Sequence, residues 1–505
     1  MDLGQAFLDL LAPGPLVLLL VGTLLGIVVG ALPGLTGGAL LALSLPFTYR
    51  MTSVDGVILM TSMYVGGISG GLITATLMRI PGEPSAVVTT LDGFPMARGG
   101  RPGRALGLGI SASLIGGALS WLVLVLLSPS MARLALVFGP FENFALVLMA
   151  LVLIATLSQG SVIKGLLAGL FGMLVSYPGI DETSGQRRLN FGFDEMAGGF
   201  STLAIILGAF AISQVFADAM HARQRFESLD PSLRGIFLSP RDYLRQSWNI
   251  LRSSAIGVII GILPGVGASI SSIVAYSTAR NMSKTPEKFG TGFDDGIVAA
   301  ETANNANTGG ALIPMITLGI PGSPSASILL AALLMHNIQP GPTLFTNAPQ
   351  VVGALMATHL VAHVAMFAIM IAGCVLIARL MYIPRAYVLP IVIVLCAIGA
   401  LAENGRMFDL WTMIAFGAVG FLLELCAVPL GPFVIGLLLA PLAEIQLRAG
   451  LMATDGSLWP ILQRPVACSL LAVSAAMFAW PLWRDWRRSA DARARLGTQT
   501  TGRPS

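Results

Sequence analysis

The heptapeptide IPGEPSA at Ile80–Ala86 returns as IPGSPSA at Ile320–Ala326, and the two copies differ only at Glu83 versus Ser323. Each copy follows a small-residue approach, GGLI at Gly70–Ile73 and GALI at Gly310–Ile313. A second block precedes each copy in the same order: GIVVGALPG at Gly26–Gly34 and GVIIGILPG at Gly257–Gly265 share two spaced glycines and a Leu-Pro-Gly end. A fainter echo pairs ILGAF at Ile206–Phe210 with VIGLL at Val434–Leu438. Different blocks recurring in one order are the mark of an internal repeat. The chain divides accordingly into repeat one (1–218), an inter-repeat linker (219–250), repeat two (251–446), a final span with its preceding loop (447–485) and a basic tail (486–505).

Composition says where these repeats reside. Of 505 residues, 55% are hydrophobic and 11% charged, against roughly 25% charged in soluble domains. With 58 Gly and 30 Pro and a mean hydropathy of +0.81, the expected fold is an all-α polytopic membrane protein whose helices pack closely and are often broken. Its apolar runs, such as 105–128 and 465–483, are continuous over about twenty residues, unlike the alternating ten-residue strands of a membrane barrel. There is room for roughly 12 spans. The net charge of +4 comes from Lys and Arg scattered between apolar runs, which fits the lipid bilayer as partner and argues against nucleic acid. Cys374, Cys396, Cys426 and Cys468 stand singly and read as packed hydrophobes. Met1–Leu20 carries Asp2 and Asp9 and no basic residue, so it reads as leading into a retained first span.

Charge sets topology. Arg223, Arg225, Arg234, Arg241, Arg245 and Arg252 mark the linker, and Arg484, Arg487, Arg488, Arg493 and Arg495 mark the tail, as cytoplasmic. With the N-terminus outside, an odd number of crossings per repeat makes the repeats inverted. Arg98, Arg101 and Arg104 place a further loop on the cytoplasmic side. Inverted repeats with discontinuous helices or re-entrant hairpins are an architecture of secondary transporters, whose sites lie at the repeat interface.

The breaks supply the chemistry. Pro33-Gly34, Pro264-Gly265, Pro81-Gly82 and Pro321-Gly322 form matched pairs, and a break at membrane depth persists only where it is buried in protein or lines a wet cavity. The simpler alternative is a set of kinks or surface turns. Polar neighbours favour the first reading: Thr36 after one break, Ser269, Ser271 and Ser272 after another, and Ser85 and Ser325 after the remaining two. Half-helix N-termini offer N–H groups to a carboxylate, and freed carbonyls suit Na⁺. The ladder Gly22, Gly26, Gly30, Gly34 and its echo Gly257, Gly261, Gly265 read as close-packing surfaces.

The most polar embedded stretch is ETANNANTGGALIP at Glu301–Pro314. Asn304, Asn305 and Thr308 within it read as a substrate or cation site, with a helix–helix hydrogen-bond node as the alternative. Glu301 is a counter-ion or proton carrier, or else an interfacial carboxylate beside Asp294 and Asp295. The matching segment of repeat one contributes Tyr64, Ser69, Thr74 and Thr76. On this reading, Asn305→Ala lowers uptake and leaves assembly intact. No GxxxxGK[ST] phosphate loop is present, and His359 and His363 lack the HExxH pattern of a zinc site. Gly67-Ile68-Ser69-Gly70 resembles the GxSG of an intramembrane serine protease, with His359 or His363 as base, but the repeat explains the segment better. A passive carboxylate channel is the other alternative, and it would need a continuous polar path.

The blocks GALPGLTGG (Gly30–Gly38), YVGGISGG (Tyr64–Gly71), RIPGEPSAVVTTLDGFPMARGGRPGRALG (Arg79–Gly107), AAETANNANTGGALIPMITLGIPGSPSA (Ala299–Ala326) and RPV (Arg464–Val466) together resemble the large membrane subunit of the tripartite tricarboxylate transporter family, the TctA-type permease. The resemblance implies a bacterial inner-membrane protein that imports di- or tricarboxylates such as citrate. It implies two partners, a small membrane subunit of about four spans and a periplasmic solute-binding protein, with Na⁺ or H⁺ as coupling ion and no other cofactor. Thr36-Gly37-Gly38 stands where repeat two has Val266-Gly267-Ala268, a difference that bears on ion or substrate preference.

Overall fold

The computed structural model describes residues 2–32, 35–157, 161–181, 184–220, 234–380 and 385–479; the Pro33-Gly34 break, much of the linker and the basic tail lie outside them. The first half runs α1 (Leu3–Leu10), α2 (Pro13–Ala31), α3 (Gly37–Thr48), α4 (Ser53–Met78), α5 (Thr89–Arg98), α6 (Pro102–Ala135), α7 (Pro140–Leu157), α8 (Val162–Ser176), α9 (Thr202–Ile206) and α10 (Ser213–Met220). A π-helical stretch, Leu207–Ile212, joins α9 to α10 into one span. The second half runs α11 (Pro240–Ile262), α12 (Gly267–Met282), α13 (Asp294–Leu318), α14 (Pro324–Met335), α15 (Leu344–Asn347), α16 (Pro349–Leu380), α17 (Arg385–Asn404), α18 (Met407–Leu425) and α19 (Leu430–Met452). Short α20 (Trp459–Gln463) and an apolar helix at 465–479 follow.

Seven of these helices are long and apolar enough to cross a membrane, and several shorter apolar helices accompany them. The fold is all-α and polytopic. Lipid-facing logic is plain on α8, which buries Gly165, Ala168, Gly169 and Gly172 and exposes Ile163, Leu167, Leu170 and Leu174. Small residues face protein and large apolar ones face outward, because close backbone approach, not water exclusion, holds helices together in lipid.

Glycine contacts show the repeat in three dimensions. A Cβ on Gly26 of α2 would meet the Met63 carbonyl oxygen of α4 at 2.5 Å; one on Gly257 of α11 would meet the Ala303 carbonyl oxygen of α13 at the same distance. Gly70 packs on Ile27, and Gly310 packs on its counterpart Val258. Further along, the pairing crosses between halves. Gly208 rests on the backbone of α18 at Met413, while Gly436 of α19 rests on the backbone of α8 at Gly169. Likewise α6 packs along α13, and α16 along α4. Reciprocal exchange of this kind is what a twofold relation produces.

Two breaks fall where the heptapeptides place them. Helix α4 ends at left-handed Arg79 (φ 59°) and α13 ends at left-handed Gly319 (φ 71°), the same position in both copies. Helix boundaries differ from the sequence expectation: α19 runs on to Met452, past the end read for repeat two, and α11 begins at Pro240, inside the segment read as linker. Ser239 and Asp242 form a capping box there, so the polar first turns extend the helix beyond its apolar part. Arg104 in the first turn of α6 bonds Asp242 at 3.0 Å and also pairs with Asp294. The Arg98–Arg104 loop and the start of repeat two therefore share one end of the molecule.

Candidate functional site

Four helices begin around a single cleft of about 720 Å³. Its walls come from Thr36 and Gly38 at the start of α3, from Gly265–Ile270 at the start of α12, from Ser323–Ser325 at the start of α14, and from Leu430–Pro432 at the start of α19. Tyr64 and Ile68 of α4, Glu83–Ser85, Phe210 and Gln214, and Glu424 with Ala427–Pro429 complete them. One side thus belongs to the broken helices of both repeats. The other belongs to the α9–α10 span and the α18–α19 junction.

The helix starts are not equivalent. The Thr36 hydroxyl accepts from Ala39 N at 3.1 Å and the Ser323 hydroxyl from Ala326 N at 3.1 Å, so α3 and α14 are capped by their own side chains. Helix α12 has no side-chain cap, and neither has α19. Gly265 and Gly267 have φ of 70° and 75°, which only glycine adopts readily, and this lets the chain turn sharply into α12. The Gly265 N–H donates to the Pro321 carbonyl at 3.2 Å, tying one break of repeat two to the other. Across the repeats, the Tyr64 hydroxyl meets the Ser323 hydroxyl at 3.0 Å. Glu83 reaches from the repeat-one break to accept the Gly37 N–H of α3 at 2.7 Å. The buried Ser85 hydroxyl has no protein partner. Uncapped helix starts and a buried hydroxyl without a protein partner are the chemistry that suits an anion.

Of the residues singled out in the sequence, Thr36, Tyr64, Ser85, Gly265, Ser269 and Ser325 line this cleft. Pro33 and Gly34 lie outside the described residues. The others do not line it. Gly82 and Gly322 are contact points: each sits on the carbonyl oxygen of the equivalent glycine, Gly30 or Gly261, of the preceding helix pair. Pro81, Pro264 and Pro321 shape the turns beside them.

In the structure the Asn-rich segment makes hydrogen bonds between helices. The Ser69 hydroxyl of α4 donates to Asn305 Oδ1 at 2.7 Å, and Asn305 Nδ2 donates to the Glu301 carbonyl at 3.2 Å. Thr308 pairs with His359 of α16 at 2.9 Å, and Asn304 Nδ2 lies 3.4 Å from a Glu301 oxygen. Glu301 is fully buried and receives the Thr89 and Ser113 hydroxyls of α5 and α6. Helix α13 is a continuous, buried helix whose polar groups bond to one another and to its packed neighbours and do not line the cleft, and the buried Asn304 Oδ1 has no partner among the described residues. The Ser69 hydroxyl bonds Asn305 and the Val65 carbonyl, and neither histidine is its partner.

The expectation for Asn305 changes accordingly. Asn305→Ala and Ser69→Ala should each lower thermal stability, with a coupling energy of about 1 kcal/mol in a double-mutant cycle, as for interhelical hydrogen bonds in lipid. Uptake per assembled molecule should stay near wild type. A large uptake defect at full stability would return Asn305 to the transport path.

Glu83, Gln214, Glu424 and the Ala427–Pro432 junction escaped the sequence reading. Glu83 had a signal, being the single difference between two otherwise identical heptapeptides.

Comparison with known proteins agrees with this architecture. Residues 16–435 match the family described as Tripartite tricarboxylate transporter TctA family. The chain is 34% identical over 451 residues, 89% of its length and 90% of the relative's, to an Agrobacterium vitis protein described as an uncharacterized 52.8 kDa protein in the TAR-I ttuC' 3'region. A second Agrobacterium vitis protein, described as an uncharacterized protein in the TAR-II ttuC' 3'region, is 30% identical over 217 residues, 43% of this chain and 90% of the relative. No solved structure matches the chain.

Proposed function

We propose that this chain, which belongs to the tripartite tricarboxylate transporter TctA family, is the large transmembrane subunit of a binding-protein-dependent secondary transporter. It imports organic di- or tricarboxylates such as citrate across the bacterial inner membrane, driven by a Na⁺ or H⁺ gradient. A periplasmic solute-binding protein delivers the substrate, and a small membrane subunit of about four spans completes the assembly. The observation that carries this reading is the cleft at the junction of the repeats. It is ringed by helix starts, and among the described residues no Lys or Arg lines it.

Backbone N–H groups at the starts of α12 and α19 receive the carboxylates, and Ser85, Ser269 and Ser325 supply hydroxyl donors. Alternating access follows the seam of the cleft, with the broken-helix group moving against the α8, α9–α10, α18 and α19 group. The end holding Arg98–Arg104 and the linker faces the cytoplasm.

Reconstituted with both partners in proteoliposomes, Ser269→Trp should reduce gradient-driven citrate uptake at least about tenfold, the equivalent of losing one charge-assisted hydrogen bond, with the chain still assembled. Unimpaired uptake by Ser269→Trp would remove the cleft as the site. Downhill flux indifferent to any ion gradient would indicate a passive channel.

A further inference from the structure

We propose that Glu83 is the coupling group of this transporter, taking up a proton when a substrate carboxylate enters the cleft and releasing it when the substrate leaves. The inference rests on the reading of the cleft as the substrate site.

The first observation is asymmetry. In repeat two the equivalent residue, Ser323, caps its own helix through Ala326 N and meets Tyr64. Glu83 instead reaches 46 residues back along the chain to the start of α3, where it accepts the Gly37 N–H at 2.7 Å. Two equivalent breaks thus carry a hydroxyl and a carboxyl. Glu83 is 8% exposed, and the unpartnered Ser85 hydroxyl lies two residues beyond it.

The second observation is the charge inventory. Among the described residues lining the cleft, the titratable groups are Glu83, Tyr64 from α4 and Glu424 from α18. The linings from α3, the α9–α10 span, α12, α14 and α19 supply none. An incoming carboxylate therefore meets Glu83 without a side-chain cation to separate them. Two carboxylates brought close together in one cleft repel each other, so binding of one favours protonation of the other. The proton comes from the water on the loading side, resides on the Glu83 carboxyl, and returns to water on the release side.

Glu83 also competes with the substrate. Glu83 holds a backbone N–H of the kind a substrate carboxylate seeks. Neutralising Glu83 converts a charge-assisted bond into a weaker one and loosens its hold on Gly37. Proton uptake and opening of the α3 start to substrate become one event. Glu301, by contrast, is held by Thr89, Ser113 and Asn304 away from the cleft.

The test uses the permease assembled with both partners in proteoliposomes, with citrate and succinate as probes. Glu83→Gln should lose accumulation driven by a pH gradient at least tenfold yet retain counterflow exchange, now independent of pH, because the amide mimics the protonated carboxyl. Glu83→Asp should retain coupling with a displaced pH dependence, and exposed Glu287→Gln should behave as wild type. Infrared difference spectra on acidification should show a protonated-carboxyl band that Glu83→Gln removes and Glu301→Gln leaves. Wild-type accumulation by Glu83→Gln, or wild-type uptake that follows a Na⁺ gradient and ignores pH, would overturn the proposal. The site reading is tested separately with Ser269→Cys in a background lacking the native cysteines. If neither probe shields that thiol from a soluble reagent, the cleft and the proposal both fall; shielding together with a fully coupled Glu83→Gln overturns the proposal alone.

Discussion

Replacing Gly322 by valine is expected to remove the folded permease from the membrane, and replacing Gly82 by valine to do the same. Any side chain at Gly322 is driven into the carbonyl oxygen of Gly261, with the Ala311 Cα at 2.6 Å; at Gly82 it is driven into the carbonyl oxygen of Gly30, with the Thr74 hydroxyl at 2.9 Å. The obstacle in both cases is backbone inside a helix pair, which cannot rotate aside as a side chain would. Overpacking of a well-filled interior costs about 1–3 kcal/mol even where neighbours adjust, so alanine should cost about 3 kcal/mol and valine more. Gly14, with open space around it, is the matched control and should tolerate alanine. Thermal denaturation of the detergent-solubilised complex, read by size-exclusion chromatography, measures all of them. Similar losses at Gly82 and Gly322 are expected because the two positions are one position of a repeated unit; wild-type stability at either would contradict the packing described for that half.

Asp92→Ala should be nearly as damaging. The Asp92 carboxylate is fully buried and accepts the N–H groups of Gly290, Gly292 and Phe293 at 2.8–2.9 Å and the Tyr276 hydroxyl at 2.9 Å. Gly290 and Gly292 have φ of 89° and 96°, and this left-handed backbone turns the successive N–H groups toward one point. Asp92 thereby clamps α5 of repeat one to the loop that leads into α13. Removing it strands the buried Tyr276 hydroxyl and three part-buried N–H groups, at about 1–3 kcal/mol for a fully buried donor and less for the others, so a loss of roughly 3 kcal/mol is expected. Tyr276→Phe deletes a single bond and should cost about 1 kcal/mol. Equal, small shifts in melting temperature for the two variants would show that the clamp contributes little.

The repeat was legible in the sequence because it is written in glycine and proline, whose backbone roles leave little freedom of substitution. Gly26 and Gly257, and Gly82 and Gly322, occupy equivalent contacts in the two halves. Even the weak match of Ile206–Phe210 with Val434–Leu438 aligned Gly208 with Gly436 in register. The cleft was half legible. Thr36, Ser269 and Ser325 follow breaks and line it, whereas Phe210, Gln214 and the Ala427–Pro432 junction arrive from helices whose local sequence carries no mark of a site.

The partners of the Asn-rich segment were only partly legible. Asn304, Asn305 and Thr308 look like ligand groups in a stretch of Ala and Leu, yet besides local bonds to Glu301 they bond residues distant in sequence, Ser69 to Asn305 and His359 to Thr308. Asp92 shows the converse. Its partners are backbone N–H groups, which no side-chain pattern reveals.

Helix α13 is long enough to span a bilayer, yet it is absent from the seven helices apolar enough to do so, and it is buried along nearly its whole length. A segment bearing Glu301 and three asparagines has no favourable route into lipid on its own account. Its place is made by α6, synthesised earlier, and by α11 and α12, the helices just before it. Repeat one thus serves, through α6, as part of the solvent for the most polar helix of repeat two: protein takes the place of lipid along the length of α13.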